Sequence, residues 1–354
     1  MGNEGILRIF HLSSGSLYRS LELFNAPIWT VAFSPDGTKV LAGYGDGTVH
    51  SWTLPLGGVQ IALPESAEHV QHLAVSPDGS LMATVDGFKF VTLWNLPEGT
   101  LHAAIPIDAS SVVTSVGFVS GGRQILAGES GGRVHILNTS NGKEVGGWQA
   151  VDGPMDPLLI SGNGELVATS SQRCVRIWNV ESRQGSHEFT FERGIHSLCF
   201  SPDRANLLVA DGMGLHSVAV LSGVTTAIDN ANQFAQMGPT AYSPAGKWFA
   251  IGHADRTITL WNALTQTPVT TLHGHKTSVN TLAYSQDGKN LASGSGSGEL
   301  KLWDLVTHQE LFELQGHTGP IYTMAFSEDG HTLATAGGSR GGGGEIWLWS
   351  APHP

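Results

Sequence analysis

Charge is scarce in this chain. Asp, Glu, Lys and Arg make up 14% of its 354 residues, and 18 bases stand against 30 acids for a formal charge of −12. A surface that tracks phosphates needs clustered Lys and Arg, and these 18 are scattered, so nucleic acid is not an expected partner. Cysteine is scarcer still. Cys174 and Cys199 are too few for a disulfide framework and read as two buried thiols in a reducing cytoplasm. No run of about 18 apolar residues occurs, so no membrane span is expected. The opening MGNEGILRIF lacks the basic region and long apolar core of a signal peptide.

Catalytic motifs are missing as well. There is no GxSxG elbow, no HExxH and no GxxxxGK(S/T) phosphate loop. GGSRGGGGE (Gly337 to Glu345) lacks the lysine of such a loop and joins two strand-like segments, so it reads as an extended hairpin loop. The histidine groups are weak metal candidates. His69 and His72 are three apart, which on a strand puts them on opposite faces, and His273 and His275 sit in a repeated position described below. No metal and no cofactor is expected.

What the chain does have is a repeat. The stretch HGHKTSVNTLAYSQDGKNLASGSGSGELKLWDL (His273 to Leu305) carries a turn at Gly288, and equivalents stand at Gly37, Gly79, Gly122, Gly164, Arg204, Gly246 and Gly330. Along the chain the steps are 42, 43, 42, 40, 42, 42 and 42 residues. A second marker keeps the same period: Trp52, Trp94, Leu137, Trp178, Val218, Trp261, Trp303 and Trp349. Within each unit, segments of period-two alternation are separated by Asp, Gly and Ser, which is the pattern of short half-buried strands. The Pro-Asp-Gly turn presets one dihedral, bonds back to the backbone and supplies positive φ. With a weaker fourth strand before each trio, every unit predicts one four-stranded antiparallel sheet. Such sheets must stack to bury both faces, and radial closure leaves few free edges.

Gly-His, about thirty residues and then Trp-Asp, at a period of 40 to 45, resembles the WD-repeat β-propeller family over about Ile6 to Trp349. The resemblance implies an all-β, closed β-propeller of four-stranded antiparallel blades. Eight blades are expected, with a seven-bladed ring plus leftover strands as the alternative. It also implies closure through SLELF (Ser20 to Phe24) joining the last trio, so that residues 17–354 form a single propeller. Residues 1–16, with the strand-like GILRIFHL, are then an appendage or the remnant of a longer array. Two units carry Gly-His (Gly274-His275 and Gly316-His317) and one closes with Trp-Asp (Trp303-Asp304). The family's buried network joins that histidine, a second-strand hydroxyl, an aspartate in the next turn and the tryptophan. The aspartate survives as Asp46 and Asp255, in units without Gly-His, so no unit is expected to hold the full network. Apolar stacking should carry blade rigidity.

Function is expected at the rim. In this family the residue two places into each innermost strand lies near the upper rim, and here the series is Trp29, Gln71, Thr114, Asp156, His196, Gly238, Asn280 and Tyr322. One carboxylate in eight places is no converging acid or metal set, whereas aromatics and mixed polar groups suit a contact surface. The expectation is a non-catalytic, monomeric, cytoplasmic scaffold that binds a protein or peptide. Trp29 and Tyr322 would become neighbours by ring closure, with Asn280 and Gln71 flanking them. The alternative is a propeller enzyme or small-ligand binder that uses the central channel.

Overall fold

The computed structural model describes residues 5–11, 17–23, 28–36, 38–44, 47–53, 61–62, 72–85, 90–96, 100–107, 111–155, 158–211, 214–230, 237–314, 317, 319–327, 332–337 and 345–350. They fall into two compact units, Trp29–Phe191 and Met1–Ile28 with Glu192–Pro354.

The Trp29–Phe191 unit holds four sheets of four strands, which span 28–62, 72–106, 113–149 and 159–190. The other unit holds three more, spanning 195–230, 237–273 and 279–314, and a fifth-stranded exception discussed below. Each four-stranded sheet is an antiparallel meander, as in Val279–Tyr284, Asn290–Ser295, Leu300–Asp304 and Gln309–Leu314. Alternation explains the burial, because within each unit the middle strands of successive sheets pack face to face. Leu41 and Val49 pack with Met82 and Trp94, Leu126 and Val134 with Val167 and Trp178, and Leu208 and Leu215 with Phe249 and Trp261. The last clusters join Ala250 and Leu260 to Leu291 and Trp303, and Leu300 and Leu302 to Ile321, Leu333 and Trp349.

The repeated turn is a compact hydrogen-bond device. Ser285 Oγ donates to Asp287 Oδ1 (2.6 Å) and accepts from Asn290 N (3.0 Å), while Asp287 accepts from Lys289 N (3.0 Å). The same set recurs at Ser76, Asp78 and Ser80 and at Ser201, Asp203 and Ala205. Gly288 takes φ +68°, and Arg204 occupies the equivalent place at φ +64° without glycine's freedom.

Two expectations need correction. Seven sheets are four-stranded rather than eight, because the remaining sheet takes both N-terminal strands and has five, in the order Leu17–Leu23, Gly5–His11, Glu345–Ser350, Thr332–Gly337, Ile321–Phe326. The strand on the last trio is also not SLELF. Gly5–His11 pairs parallel with Glu345–Ser350, from Ile6 opposite Glu345 to His11 opposite Ser350, and Leu17–Leu23 pairs outside it. A free sheet edge bonds whichever strand lies in register with it, and alternation alone does not say which of two adjacent strands that is.

The hydrogen-bond network is corrected too. In the 279–314 sheet, Trp303 Nε1 donates to Ser293 Oγ (2.8 Å), which lies 2.6 Å from His275 Nε2. The acid is Glu299, whose carboxylate lies 3.6 Å from His275 Nδ1 and accepts from Lys276 N (2.8 Å). Glu299 stands in for the turn aspartate from the end of that turn, just before Leu300, at an ion-pair distance from the histidine rather than in a hydrogen bond. His317 lies 2.8 Å from Thr335 Oγ1, to which Trp349 also donates (3.3 Å). Trp94 and Trp178 reach Thr84 and Thr169 at 3.0 Å each. Polar contacts therefore join apolar stacking in holding these sheets. Asp255 instead caps its own turn through Thr257, and Asp46 lies outside the described residues. Cys174 and Cys199 are free and half-buried rather than fully buried, Cys174 as the first residue of the third strand of its sheet and Cys199 on the first strand of the next. Burial pushes the Cys199 thiol up to about 11, so it is a neutral thiol at pH 7.

Candidate functional site

The rim series has a backbone signature. In five inner strands the ladder slips immediately after the first residue, between Val113/Ser115, Ile195/Ser197, Met237/Thr240, Val279/Thr281 and Ile321/Thr323. The residues passed over are Thr114, His196, Gly238 with Pro239, Asn280 and Tyr322. A bulge leaves its extra residue out of the ladder and re-aims its side chain. Each of these positions is thus released from pairing for a reason built into the repeat.

Four of them belong to one unit. His196, Gly238, Asn280 and Tyr322 lie on successive inner strands that neighbour one another, at an exact interval of 42 residues. His196 is exposed and Tyr322 is 53% exposed. Asn280 is half-buried, and its Oδ1 accepts from Ser278 Oγ at 3.2 Å. Gly238 permits a close approach: a Cβ there would stand 2.9 Å from Gly252 O and 3.1 Å from Val279 O on the next inner strand. The row therefore offers a ring edge, an amide and a phenol on a rigid base, with no carboxylate among them.

The other expected residues separate. Thr114 sits at its bulge in the Trp29–Phe191 unit, half-buried, with its hydroxyl 3.4 Å from Gly128 O. Trp29 is the second residue of Ile28–Phe33 in that same unit, and its side chain is not among those described. Gln71 and Asp156 lie outside the described residues. The expected pairing of Trp29 with Tyr322, flanked by Gln71, accordingly involves side chains that are not described. Among the described residues no group of three or more His, Cys, Asp or Glu is placed to hold a metal ion, and no helix is long and apolar enough to cross a membrane.

Sequence reasoning missed a second feature, at the other end of the same sheets. Leu221, Leu264 and Val306 are 93%, 92% and 77% exposed, each on the turn between the third and fourth strands of three successive sheets. The signal was available: an aliphatic residue follows the third-strand marker by three places, where the 113–149 and 159–190 sheets carry Ser140 and Glu181. It was overlooked because turns were read only for backbone chemistry.

Four segments, residues 15–53, 240–262, 266–304 and 308–350, match the family model for the WD domain, G-beta repeat. Trp29, Asn280 and Tyr322 fall inside them, while Thr114 and His196 do not. Among solved structures the chain is similar to the computationally designed Ika8 protein, with 18% identity, a TM-score of 0.77 and coverage of 92% of this chain and 97% of that one. At that identity the likeness concerns fold alone. No curated protein matches the sequence.

Proposed function

Starting from a chain of which four segments match the WD-repeat family model, we propose that it is a non-catalytic interaction platform that holds a protein or peptide on the rim carrying His196, Asn280 and Tyr322. The observation that carries the reading is the repeated bulge: the ladder slips at the same place in four neighbouring inner strands, and three of the residues it passes over, His196, Asn280 and Tyr322, carry polar side chains. The family match supports a scaffold, since sheets of this kind present fixed edges rather than moving parts. The side chains themselves support a contact surface. Tyrosine gives large rigid area at low entropic cost, and His196 and Asn280 give orienting hydrogen bonds. The reading extends to Thr114, and to Trp29, Gln71 and Asp156 at the matching places, and to a soluble protein working in the cytoplasm.

The test is site-specific photocrosslinking in native lysate, with a photoreactive phenylalanine analogue at position 196, 280 or 322 and, as control, at 181. The proposal expects one shared adduct from the three rim positions and none from 181. Tyr322→Ala should lower capture about tenfold or more, as for an interface anchor worth ~1–3 kcal/mol, with the melting temperature unchanged. Adducts that differ at every rim position, no adduct at all, or unfolding by Tyr322→Ala would each overturn it.

A further inference from the structure

One copy of the repeated turn departs from its sisters at the residue that accepts the hydrogen bonds. Four of the described turns place an aspartate there. Asp36, Asp78, Asp203 and Asp287 accept a serine hydroxyl at 2.5, 2.6, 2.5 and 2.6 Å, and a backbone N–H two residues on at 3.0 to 3.1 Å. In the 159–190 sheet the residue is Asn163, whose side-chain oxygen accepts from Ser161 Oγ at 2.9 Å and from Glu165 N at 3.2 Å. The same bonds are made and each is longer, because an amide oxygen is a weaker acceptor than a carboxylate. The turn itself favours the anion. At Asp36, Asp78 and Asp203 the serine hydroxyl leads the hydrogen bonds that hold the carboxyl below its usual value. Asp78 does this in Ser-Pro-Asp-Gly-Ser, a turn without lysine or arginine.

The next residue completes a reactive pair. Gly164 stands at φ +72°, and a Cβ there would lie 3.1 Å from Val119 Cα, so the fold requires glycine at this place. An asparagine followed by glycine can close on itself, since no side chain keeps the glycine nitrogen from the amide carbon before it. Asn163 is exposed, so water reaches it. In the closed turn both groups are engaged: Gly164 N donates to Ser161 O at 2.7 Å, and Asn163 Oδ1 holds its two donors. Ring closure therefore proceeds through brief opening of this surface turn.

We propose that Asn163 is a self-modification site, converted to aspartate without an enzyme and ending in the turn chemistry of its four sisters. Gly164 N attacks Asn163 Cγ to form a five-membered succinimide, and the side-chain nitrogen leaves as ammonia with the proton that Gly164 N gives up. Water then adds to one ring carbonyl and breaks its bond to Gly164 N. Opening at Cγ gives aspartate on the original backbone, and opening at the backbone carbonyl gives isoaspartate, with the chain routed through the side chain. One water is consumed and one ammonia released. Aspartate refits the turn and is withdrawn from further reaction. Isoaspartate lengthens the backbone, cannot remake the Gly164 N to Ser161 O bond, and recloses to the succinimide from an open turn. The site therefore drains toward aspartate. Asn141–Gly142 is the internal control: it is also exposed, with Asn141 Oδ1 accepting from Lys143 N at 3.1 Å, but its matching places hold Ser182, Ser222, Thr265 and Thr307, and none is an aspartate.

The test is incubation of the purified full chain at pH 8.5 and 37 °C, followed by peptide mass mapping and by digestion with an endoproteinase that cuts before aspartate and not before isoaspartate. The expected result is a gain of about one dalton at residue 163, with aspartate in excess there and isoaspartate in excess at residue 141. Asn163→Asp, made directly, should slow hydrogen exchange across 161–166 about threefold or more. Asn163 left unchanged, isoaspartate in excess at 163, the same product ratio at both places, or exchange no slower in Asn163→Asp would each overturn the proposal.

Discussion

The 279–314 and 195–230 sheets share one architecture and are held by different chemistry. In the first, Trp303 and Ser293 on two strands meet His275 and Glu299 from the adjoining connections in a buried polar cluster. It is extended by Lys301, itself buried, which reaches Glu310 at 2.9 Å and Glu313 at 3.1 Å. In the second, Val218 stands where the tryptophan would be, and Leu207, Leu208, Val209, Ala210 and Leu215 are wholly buried. The turn glycine is replaced by Arg204 at positive φ. The lesson is that the stacked sheet tolerates loss of its polar signature when branched aliphatic side chains fill the same volume, because non-directional burial supplies most of the stabilisation.

The largest expected break of this comparison is Trp303→Ala, which removes a large buried ring and orphans Ser293 and His275. It should cost about 3–5 kcal/mol, against about 1–2 kcal/mol for Val218→Ala, read as denaturant midpoints of the two variants. Equal costs would mean that the polar chain contributes nothing beyond volume. Ser293→Ala comes next. It leaves the Trp303 N–H and His275 Nε2 facing each other without the hydroxyl, at about 2–3 kcal/mol, and Ser293→Thr should recover most of that.

Acid should also separate the two sheets. Burial holds His275 below its usual value of 6.5, against the opposing pull of Glu299. A folded value below the unfolded one means stability that is complete above pH 6.5 and declines as pH falls below it. Burial pushes the Glu299 carboxyl up, but hydrogen bonds from Lys276 outweigh it and hold it below its usual 4.5, so its contribution fades only at lower pH. Hydrogen exchange at pH 7.5 and 5.5, corrected for intrinsic rates, should therefore show protection lost sooner in 290–295 than in 206–211. A uniform loss would remove the histidine from the account.

The smallest effect is the exchange of turn residues. Arg204→Gly relieves positive φ and should stabilise by about 0.5–1 kcal/mol, while Gly288→Arg should destabilise by about 1 kcal/mol. Space is not the obstacle at Gly288, where a Cβ would meet nothing nearer than Pro244 Cδ at 3.9 Å. Thermal melts of both variants check the pair.

Much of this was legible in the residues. The turn set Ser285, Asp287, Gly288 and the strand marker Trp303 recur with their period because each repeat solves the same local problem. His196, Asn280 and Tyr322 are each the second residue of a first strand, a place that strand alternation and the period give, while the slip of the ladder there is not legible in the sequence. Glu299 was missed because it stands in for the turn aspartate from the end of the turn, just before Leu300, which changes its place in the sequence while its carboxylate faces the same histidine. A row of third-strand bases, two buried and two half-buried, was missed as well. His135, Arg176, His216 and Lys301 occupy one repeat position, and each meets an acid: Glu129 and Glu144, Glu188, Asp211, and Glu310 with Glu313. The acid comes from the second strand in some sheets and the fourth in others, and on the fourth it follows its base by nine residues (Glu144, Glu310) or twelve (Glu188, Glu313), a spacing the reading did not use.

By itself the sequence determined the strand alternation, the turn chemistry and the period, since these depend on dihedral preferences and on a side-chain direction that reverses at every residue. Tertiary structure alone decided which N-terminal strand occupies the edge of Glu345–Ser350 and which acid stands beside His275. Those are questions of which groups meet across sheets. Distance along the chain says nothing about them until the backbone has folded.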